Sequence, residues 1–281
     1  MKTIMVVGAG QMGAGIAQVS VQAGFKTIVC DASHEYLERG RKTIEKNLNR
    51  QVEKNKISGN DKDLIISRLF FTMNLEDGKN ADIVIEAIPE NEELKKKVFG
   101  ELDEICPSHT ILASNTSSLP ITKLGAATKR ADKVVGMHFM NPVPVMKLVE
   151  IIEGNVTSKE TIQIIEKLAD DFGKVIIKAK DYPGFLSTRL IMPFINEALY
   201  SVYEGRGTVE DIDKCAKLAF NHPMGPFEWI DFVGLDSLLS IFKVLFEAYG
   251  DSRYFPCPLL VQMVQAGRLG RKSGKGFYEY N

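Results

Sequence analysis

A glycine pattern set between a buried strand and a helix restricts this chain more than any other feature. Thr3 to Val7 is a short, continuous apolar run, the pattern of a strand covered on both faces in a parallel sheet. It runs directly into Gly8-Ala9-Gly10-Gln11-Met12-Gly13, and a helical pattern follows from about Met12 to Ala23. A second apolar run, Lys26 to Cys30, ends at Asp31, so the chain opens in βαβ order. In a G-x-G-x-x-G turn the first glycine permits the bend, the second lets backbone amides approach a pyrophosphate, and the third lets helix and strand pack closely. Gly8, Gly10 and Gly13 take those places, while Gln11 and Met12 open a helix whose N-terminus adds partial positive charge. Asp31 stands where a carboxylate accepts bonds from adenosine ribose hydroxyls and repels a 2′-phosphate. The expected cofactor is therefore NAD over NADP, with Lys26 and Arg39 bearing on the local charge balance. Asp31 also reads as an N-cap for the segment that follows it.

The rest of the chain keeps the same alternation for some distance. Tyr36 to Lys56 is charged but carries Leu37, Ile44, Leu48 and Val52 at helical spacing, a helix with one apolar stripe. Strands are predicted at Leu69–Thr72, Ile83–Ala87, Ile111–Ser114, Val134–Phe139, Met146–Ile152 and Val175–Lys178, with helices at Glu92–Ile105 and Lys159–Phe172. The economical reading is a Rossmann-like, doubly wound α/β sheet with a helical extension. From Asp181-Tyr182-Pro183-Gly184 onward only helical patterns remain, the strongest at Phe185–Tyr203 and Leu235–Tyr249. We therefore expect two domains, residues 1–182 and an all-α domain at 183–281.

Composition narrows the partners. Acidic and basic residues number 36 and 35, so no overall field exists to hold nucleic acid or an anionic membrane, and any polyanion must be met locally. Cys30, Cys106, Cys215 and Cys257 are widely spaced without a C-x-x-C pair, which points to a reducing cytoplasm and, with no histidine cluster, to no metal. With an apolar run already at Thr3, no secretory leader is expected, and no segment reaches the length of a membrane span.

Chemistry concentrates between Ser114 and Glu150. Oxidising an alcohol needs a base that works near neutral pH, and imidazole is the side chain suited to it. His138 sits at the end of a predicted strand, where open α/β sheets bind ligands. Ser117 follows the strand ending at Ser114, although a Ser-Ser pair such as Ser117-Ser118 also reads as a turn or helix cap.

The run from Gly136 to Glu150, GMHFMNPVPVMKLVE, closely resembles the signature of short-chain L-3-hydroxyacyl-CoA dehydrogenases. The likeness spans nearly the whole chain, through Ser114-Asn115-Thr116-Ser117-Ser118, Asp181 to Phe185, Asn221 to Pro226, and Gly270 to Tyr278. It implies NAD-dependent interconversion of 3-hydroxyacyl-CoA and 3-oxoacyl-CoA, of short chains as in butyrate and fatty acid metabolism. His138 would move the hydroxyl proton, Glu150 would orient and charge-stabilise the imidazole, and Ser117 would bond the substrate oxygen and the nicotinamide amide. The resemblance adds cofactor contacts at Glu90, Lys95, Asn141 and Lys272, though Lys95 also reads as part of the charged helix face Glu92–Lys97. It also places the helical extension beside the CoA moiety, where Arg50 and Lys54 belong to a run of cations diluted by Glu35, Glu38, Glu45 and Glu53. A homodimer through the C-terminal domain is implied as well.

One position departs from the pattern. The family usually has Asn where this chain has Thr188, and a hydroxyl reaches less far than an amide. Two other readings stay open: a dehydrogenase of a free hydroxy or sugar acid on the same scaffold, and an NAD-binding protein that has lost turnover.

Overall fold

The computed structural model describes residues 2–280. They fall into two compact units, one ending at Asp181 and the other beginning at Tyr182.

In the first unit, β1 (Thr3–Val7), α1 (Gln11–Gln22) and β2 (Lys26–Cys30) form the expected opening. The polar stretch becomes α2 (His34–Glu53), which buries Leu37, Gly40, Ile44 and Leu48 and turns its charges outward. A short helix not foreseen from the sequence, α3 (Gly59–Ile66), follows and is started by a reciprocal Ser58–Asp61 capping box. Then come β3 (Leu69–Thr72), β4 (Ile83–Glu86), α4 (Glu92–Ile105), β5 (Ile111–Ser114), α5 (Ile121–Gly125), β6 (Val134–Phe139), β7 (Leu148–Glu153), α6 (Lys159–Asp171) and β8 (Val175–Lys180). The eight strands make one sheet in the order β3-β2-β1-β4-β5-β6-β7-β8. All neighbours are parallel except β6 and β7. The strand order reverses between β1 and β4, and such a switch point leaves a crevice at the strands' carboxyl ends.

The antiparallel pair is what a local connection allows: residues 140–147 simply turn back, with Val145 and Met146 amides donating to the Pro142 carbonyl. For that reason β7 begins at Leu148 and not at Met146 as the apolar pattern suggested. The amide side chains of Gln18, Gln22, Asn47 and Gln51 link α1 to α2, at 2.9 Å from Asn47 to Gln18 and from Gln22 to Gln51.

The second unit consists of α7 (Ser187–Tyr203), α8 (Val209–Ala219), α9 (Pro226–Val233), α10 (Leu235–Tyr249) and α11 (Pro258–Gln265). Met192, Ile195 and Leu199 of α7 pack with Phe227, Ile230, Leu238, Phe242, Leu245 and Leu260. Two buried carboxylates tie its ends together. Asp213 accepts from the Phe227 and Glu228 amides and the Tyr278 hydroxyl. Asp231 accepts from the Phe277 and Tyr278 amides and the Tyr280 hydroxyl. His222 packs its ring against Phe194 and Phe220, a structural role.

Candidate active site

The glycine turn has the shape its sequence demands. Gly8 takes φ +104°, and a Cβ there would lie 2.6 Å from the Ala87 carbonyl oxygen. A Cβ on Gly13 would sit 1.8 Å from the Gly8 carbonyl oxygen, so any side chain would push helix from strand. Nothing lies within 4 Å of the Cβ position of Gly10, which leaves open the face a pyrophosphate would approach. Gly40 of α2 closes in from the other side, its Cβ position 2.8 Å from the Ala9 carbonyl oxygen. These features fit a dinucleotide.

Asp31 holds this turn as well as facing it. One carboxylate oxygen accepts from the Ala9 amide at 2.7 Å and the other from the Ser33 amide at 2.9 Å. It is not the N-cap of α2, because Ser33 takes that place and accepts from the Tyr36 amide.

At the carboxyl ends of the neighbouring strands, β6 and β7 bring His138 directly opposite Glu150. His138 Nδ1 lies 2.7 Å from Glu150 Oε2, and its Nε2 lies 3.0 Å from Ser117 Oγ. Glu150 is fully buried and His138 is 6% exposed, so their contact is shielded from water. A carboxylate only accepts hydrogen bonds, which assigns the imidazole proton to Nδ1 and leaves the Nε2 lone pair as the basic face. The Ser117 hydroxyl is free to rotate and donate to it.

Ser117 is aimed from behind by Glu90. A single Glu90 oxygen accepts from Thr116 Oγ1 at 2.6 Å, from the Ser117 and Ser118 amides at 3.0 Å each, and from Ser118 Oγ at 2.9 Å. Burial pushes the Glu90 carboxyl up, but the Lys95 ammonium and these donors outweigh it and hold the group below its ordinary range. The Ser118 hydroxyl is thereby spent on Glu90. Helix α5 is capped instead by Asp181, whose carboxylate accepts from the Ile121 and Thr122 amides at 2.7 and 2.8 Å.

The reading of Lys95 as part of a charged helix face is overturned. Lys95, Phe99 and Leu102 form the buried stripe of α4, and the lysine is 1% exposed. Its Nζ meets Glu86 Oε1 at 2.5 Å, the Ile88 carbonyl at 3.1 Å and Glu90 Oε2 at 3.5 Å. Glu86, not singled out from the sequence, ends β4, is fully buried and also accepts from Ser114 Oγ at 2.6 Å. An acid closing an apolar run, as in Asp31, was the available signal. Asn115 likewise went unnoticed, although its side-chain oxygen accepts from the Phe139 amide at 2.8 Å and so fixes the end of the strand carrying His138.

Asn141 receives a bond from Gln11 Nε2 at 3.2 Å, which joins the loop after His138 to the first turn of α1. On α2, Arg50 lines an open groove of about 360 Å³ with Lys42, Glu45, Lys46, Asn49 and Glu53; Lys54 follows as the helix's C-cap. Thr188 and Lys272 belong to the second unit. Thr188 is buried on α7 at 7% exposure, and Lys272 is ion-paired with Asp236. No group of histidines, cysteines and carboxylates suited to a metal ion occurs among the described residues. Nor is any helix among them long and apolar enough to cross a membrane.

Comparison with known proteins covers nearly the whole chain. Residues 3–182 match the family model of the 3-hydroxyacyl-CoA dehydrogenase NAD-binding domain, and residues 184–280 match the model of that family's C-terminal domain. A probable 3-hydroxybutyryl-CoA dehydrogenase of Bacillus subtilis is 54% identical over 99% of this chain and 97% of its own. The 3-hydroxybutyryl-CoA dehydrogenase of Bradyrhizobium diazoefficiens is 47% identical, covering 99% of this chain and 95% of its own. Among solved structures, the (S)-3-hydroxybutyryl-CoA dehydrogenase of Ralstonia eutropha superimposes with a TM-score of 0.92 at 43% identity, covering 100% of this chain and 99% of its own.

Proposed function

The chain belongs to the 3-hydroxyacyl-CoA dehydrogenase family, and we propose that it interconverts (S)-3-hydroxybutyryl-CoA and acetoacetyl-CoA in the cytoplasm, as part of butyrate-type metabolism. The reaction is an NAD-dependent oxidation or reduction at C3 of a 3-hydroxyacyl-CoA. NAD, when bound, takes the hydride from C3 or returns it.

The observation that carries the reading is the imidazole held between a buried carboxylate and a serine hydroxyl. In the oxidative direction His138 Nε2 accepts the hydroxyl proton, and the imidazolium so formed is stabilised by Glu150 across Nδ1. In the reductive direction the same atom returns the proton. A substrate oxygen that meets Nε2 also meets Ser117 Oγ, which adds a second polar contact at the atom where charge develops.

The remaining residues divide the work of holding. Gly8, Gly10, Gln11, Met12 and Gly13 offer backbone amides and a helix N-terminus to the pyrophosphate. Asp31, with lone pairs left after its bonds to Ala9 and Ser33, takes the ribose hydroxyls. Asn141 contacts the cofactor, and Glu90 and Lys95 support it from beneath the Ser117 turn. Arg50 and Lys54 meet the CoA phosphates, and Thr188 stands in for the family's asparagine near the substrate. Leu190 on α7 and Leu218 on α8 are 69% and 85% exposed, and such surface on the second unit supports pairing with a second copy of the chain.

A spectrophotometric panel of acetoacetyl-CoA, longer 3-ketoacyl-CoAs and free acetoacetate, each with NADH and NADPH, tests the reading. Acetoacetyl-CoA with NADH is expected to be fastest and free acetoacetate nearly inert. His138→Ala is expected to lower turnover about 10²- to 10⁴-fold with little change in NADH affinity. Turnover that survives this substitution would reject the assignment of the base.

A further inference from the structure

Lys174 immediately precedes β8 and is 8% exposed, yet it forms no ion pair among the described residues. Its Nζ donates to the Val143 carbonyl at 2.5 Å and the Met146 carbonyl at 2.9 Å. Burial pushes its ammonium below the usual lysine range, with no opposing charge acting on it. A buried ammonium satisfied only by neutral oxygens is a costly way to fill space, so what it grips matters.

What it grips is the 140–147 loop. That loop leaves β6 after His138, carries Asn141 and re-enters the sheet as β7 with Glu150. On one side it rests on α1. Val143 is buried so tightly there that a Cβ on Gly15 would lie 2.9 Å from the Val143 Cβ, and Gln11 donates to Asn141. The loop's second hold is Lys174, whose own backbone is fixed. Its amide donates to the Ala169 carbonyl at 3.0 Å at the end of α6, and the Val175 amide donates to the Lys147 carbonyl at 2.7 Å. The loop is therefore held at both α1 and Lys174.

We propose that Lys174 is a positioning residue for cofactor binding: its ammonium, by pinning the Val143 and Met146 carbonyls, keeps Asn141 seated beside the first turn of α1. The inference rests on the assignment of Asn141 to the cofactor made above. Lys174 touches neither substrate nor cofactor and acts only through the loop. Methionine at this position keeps the stem's volume and removes all three donors, leaving the buried Val143 carbonyl and the partly exposed Met146 carbonyl without this partner and the loop free to lift. Arginine keeps donors on a longer, planar head.

The test is a double-mutant cycle read as NADH dissociation constants by fluorescence titration, which needs no turnover. Lys174→Met is expected to weaken NADH about tenfold, the scale of losses when an outer-shell partner is removed. Lys174→Arg should recover most of that, and the KM for acetoacetyl-CoA should stay within about twofold, since the effect is confined to the cofactor's half of the site. In an Asn141→Ala background the further change to Met should cost almost nothing. A purely structural role predicts a lower melting temperature with unchanged NADH affinity, and that result overturns the proposal. So does a loss that is fully additive with Asn141→Ala. Should the methionine protein fail to fold, Lys174→Gln, which keeps a donor for only part of the load, is run through the same cycle and judged by the same two criteria. Asn141→Ala alone reports on the underlying assignment: wild-type NADH affinity in that single variant overturns the role of Asn141 before Lys174 is touched.

Discussion

Both units hold carboxylates that are buried or, for Glu90, half-buried, but they use them on different things. In the first unit Glu150 and Glu90 are bonded to groups that belong to the chemistry, the His138 ring and the Ser117 turn, and Glu90 has the Lys95 ammonium beside it. In the second unit Asp213 and Asp231 are bonded mostly to backbone amides and tyrosine hydroxyls, and they fasten the last residues of the chain to α8 and α9. The pKa directions follow the surroundings. Glu90 lies below its ordinary range despite burial, because a cation and several donors act on it. Asp213 lies above its range because burial outweighs its donors and the charge acting on it is another carboxylate, Glu228. The acids of the first unit thus aim side chains that take part in the chemistry, whereas those of the second are staples that hold backbone in place.

The largest expected effect tests the aiming role. In Glu150→Gln the amide can donate to His138 Nδ1, which drives the ring proton to Nε2 and removes the lone pair that takes up the substrate proton. Turnover should fall about 10²- to 10⁴-fold. If the variant instead loses stability with turnover per folded molecule intact, the distinction between the two units breaks. Asp213→Ala should do the opposite. It orphans three donors and should cost about 3 kcal/mol of unfolding free energy in urea titrations, with kcat per folded molecule unchanged.

Thr188→Asn sharpens the chemical side. Restoring the longer amide should raise kcat/KM for acetoacetyl-CoA about tenfold, corresponding to one charge-assisted hydrogen bond regained in the transition state. No gain would show that Thr188, with its surroundings, already supplies that contact. The smallest effects are in the pH dependence of stability. Glu90, with its folded pKa depressed, contributes stability that is present above about pH 4.5 and lost as pH falls through the folded value, and Glu90→Gln should remove this acid limb. Asp213, with its folded pKa raised, contributes most below about pH 3.8 and loses that contribution as pH rises through the folded value. Asp213→Asn should therefore flatten a limb of opposite slope, and urea midpoints measured from pH 3 to 7 would separate the two.

Much of this was legible in the residues themselves. The glycine turn, the parallel strands and the change to an all-helical tail follow from local periodicity, and the structure has each of them. His138 and Glu150 are read as partners from a motif, and the register that joins them is a property of two neighbouring strands. Longer-range bonds were not legible. Asp181 caps a helix that begins at Ile121, and Lys174 fills carbonyls in a loop that precedes it in the chain. Nothing local marks either residue for that task. Lys95, read as part of a charged face, is a different case. Its spacing to Phe99 and Leu102 is helical, so the buried stripe was present in the sequence, but a charged residue is seldom counted as part of one.

The facing of His138 and Glu150 is written into the ladder between β6 and β7, two adjacent interior strands of an eight-stranded sheet. Acid and base therefore ride on a single body and do not depend on the turn that links them. Insertions into that turn should leave the pair in contact so long as the ladder survives, whereas a slip of one rung would point the two side chains to opposite faces. For the acid–base pair alone, then, the length of the turn matters less than the register of the strands.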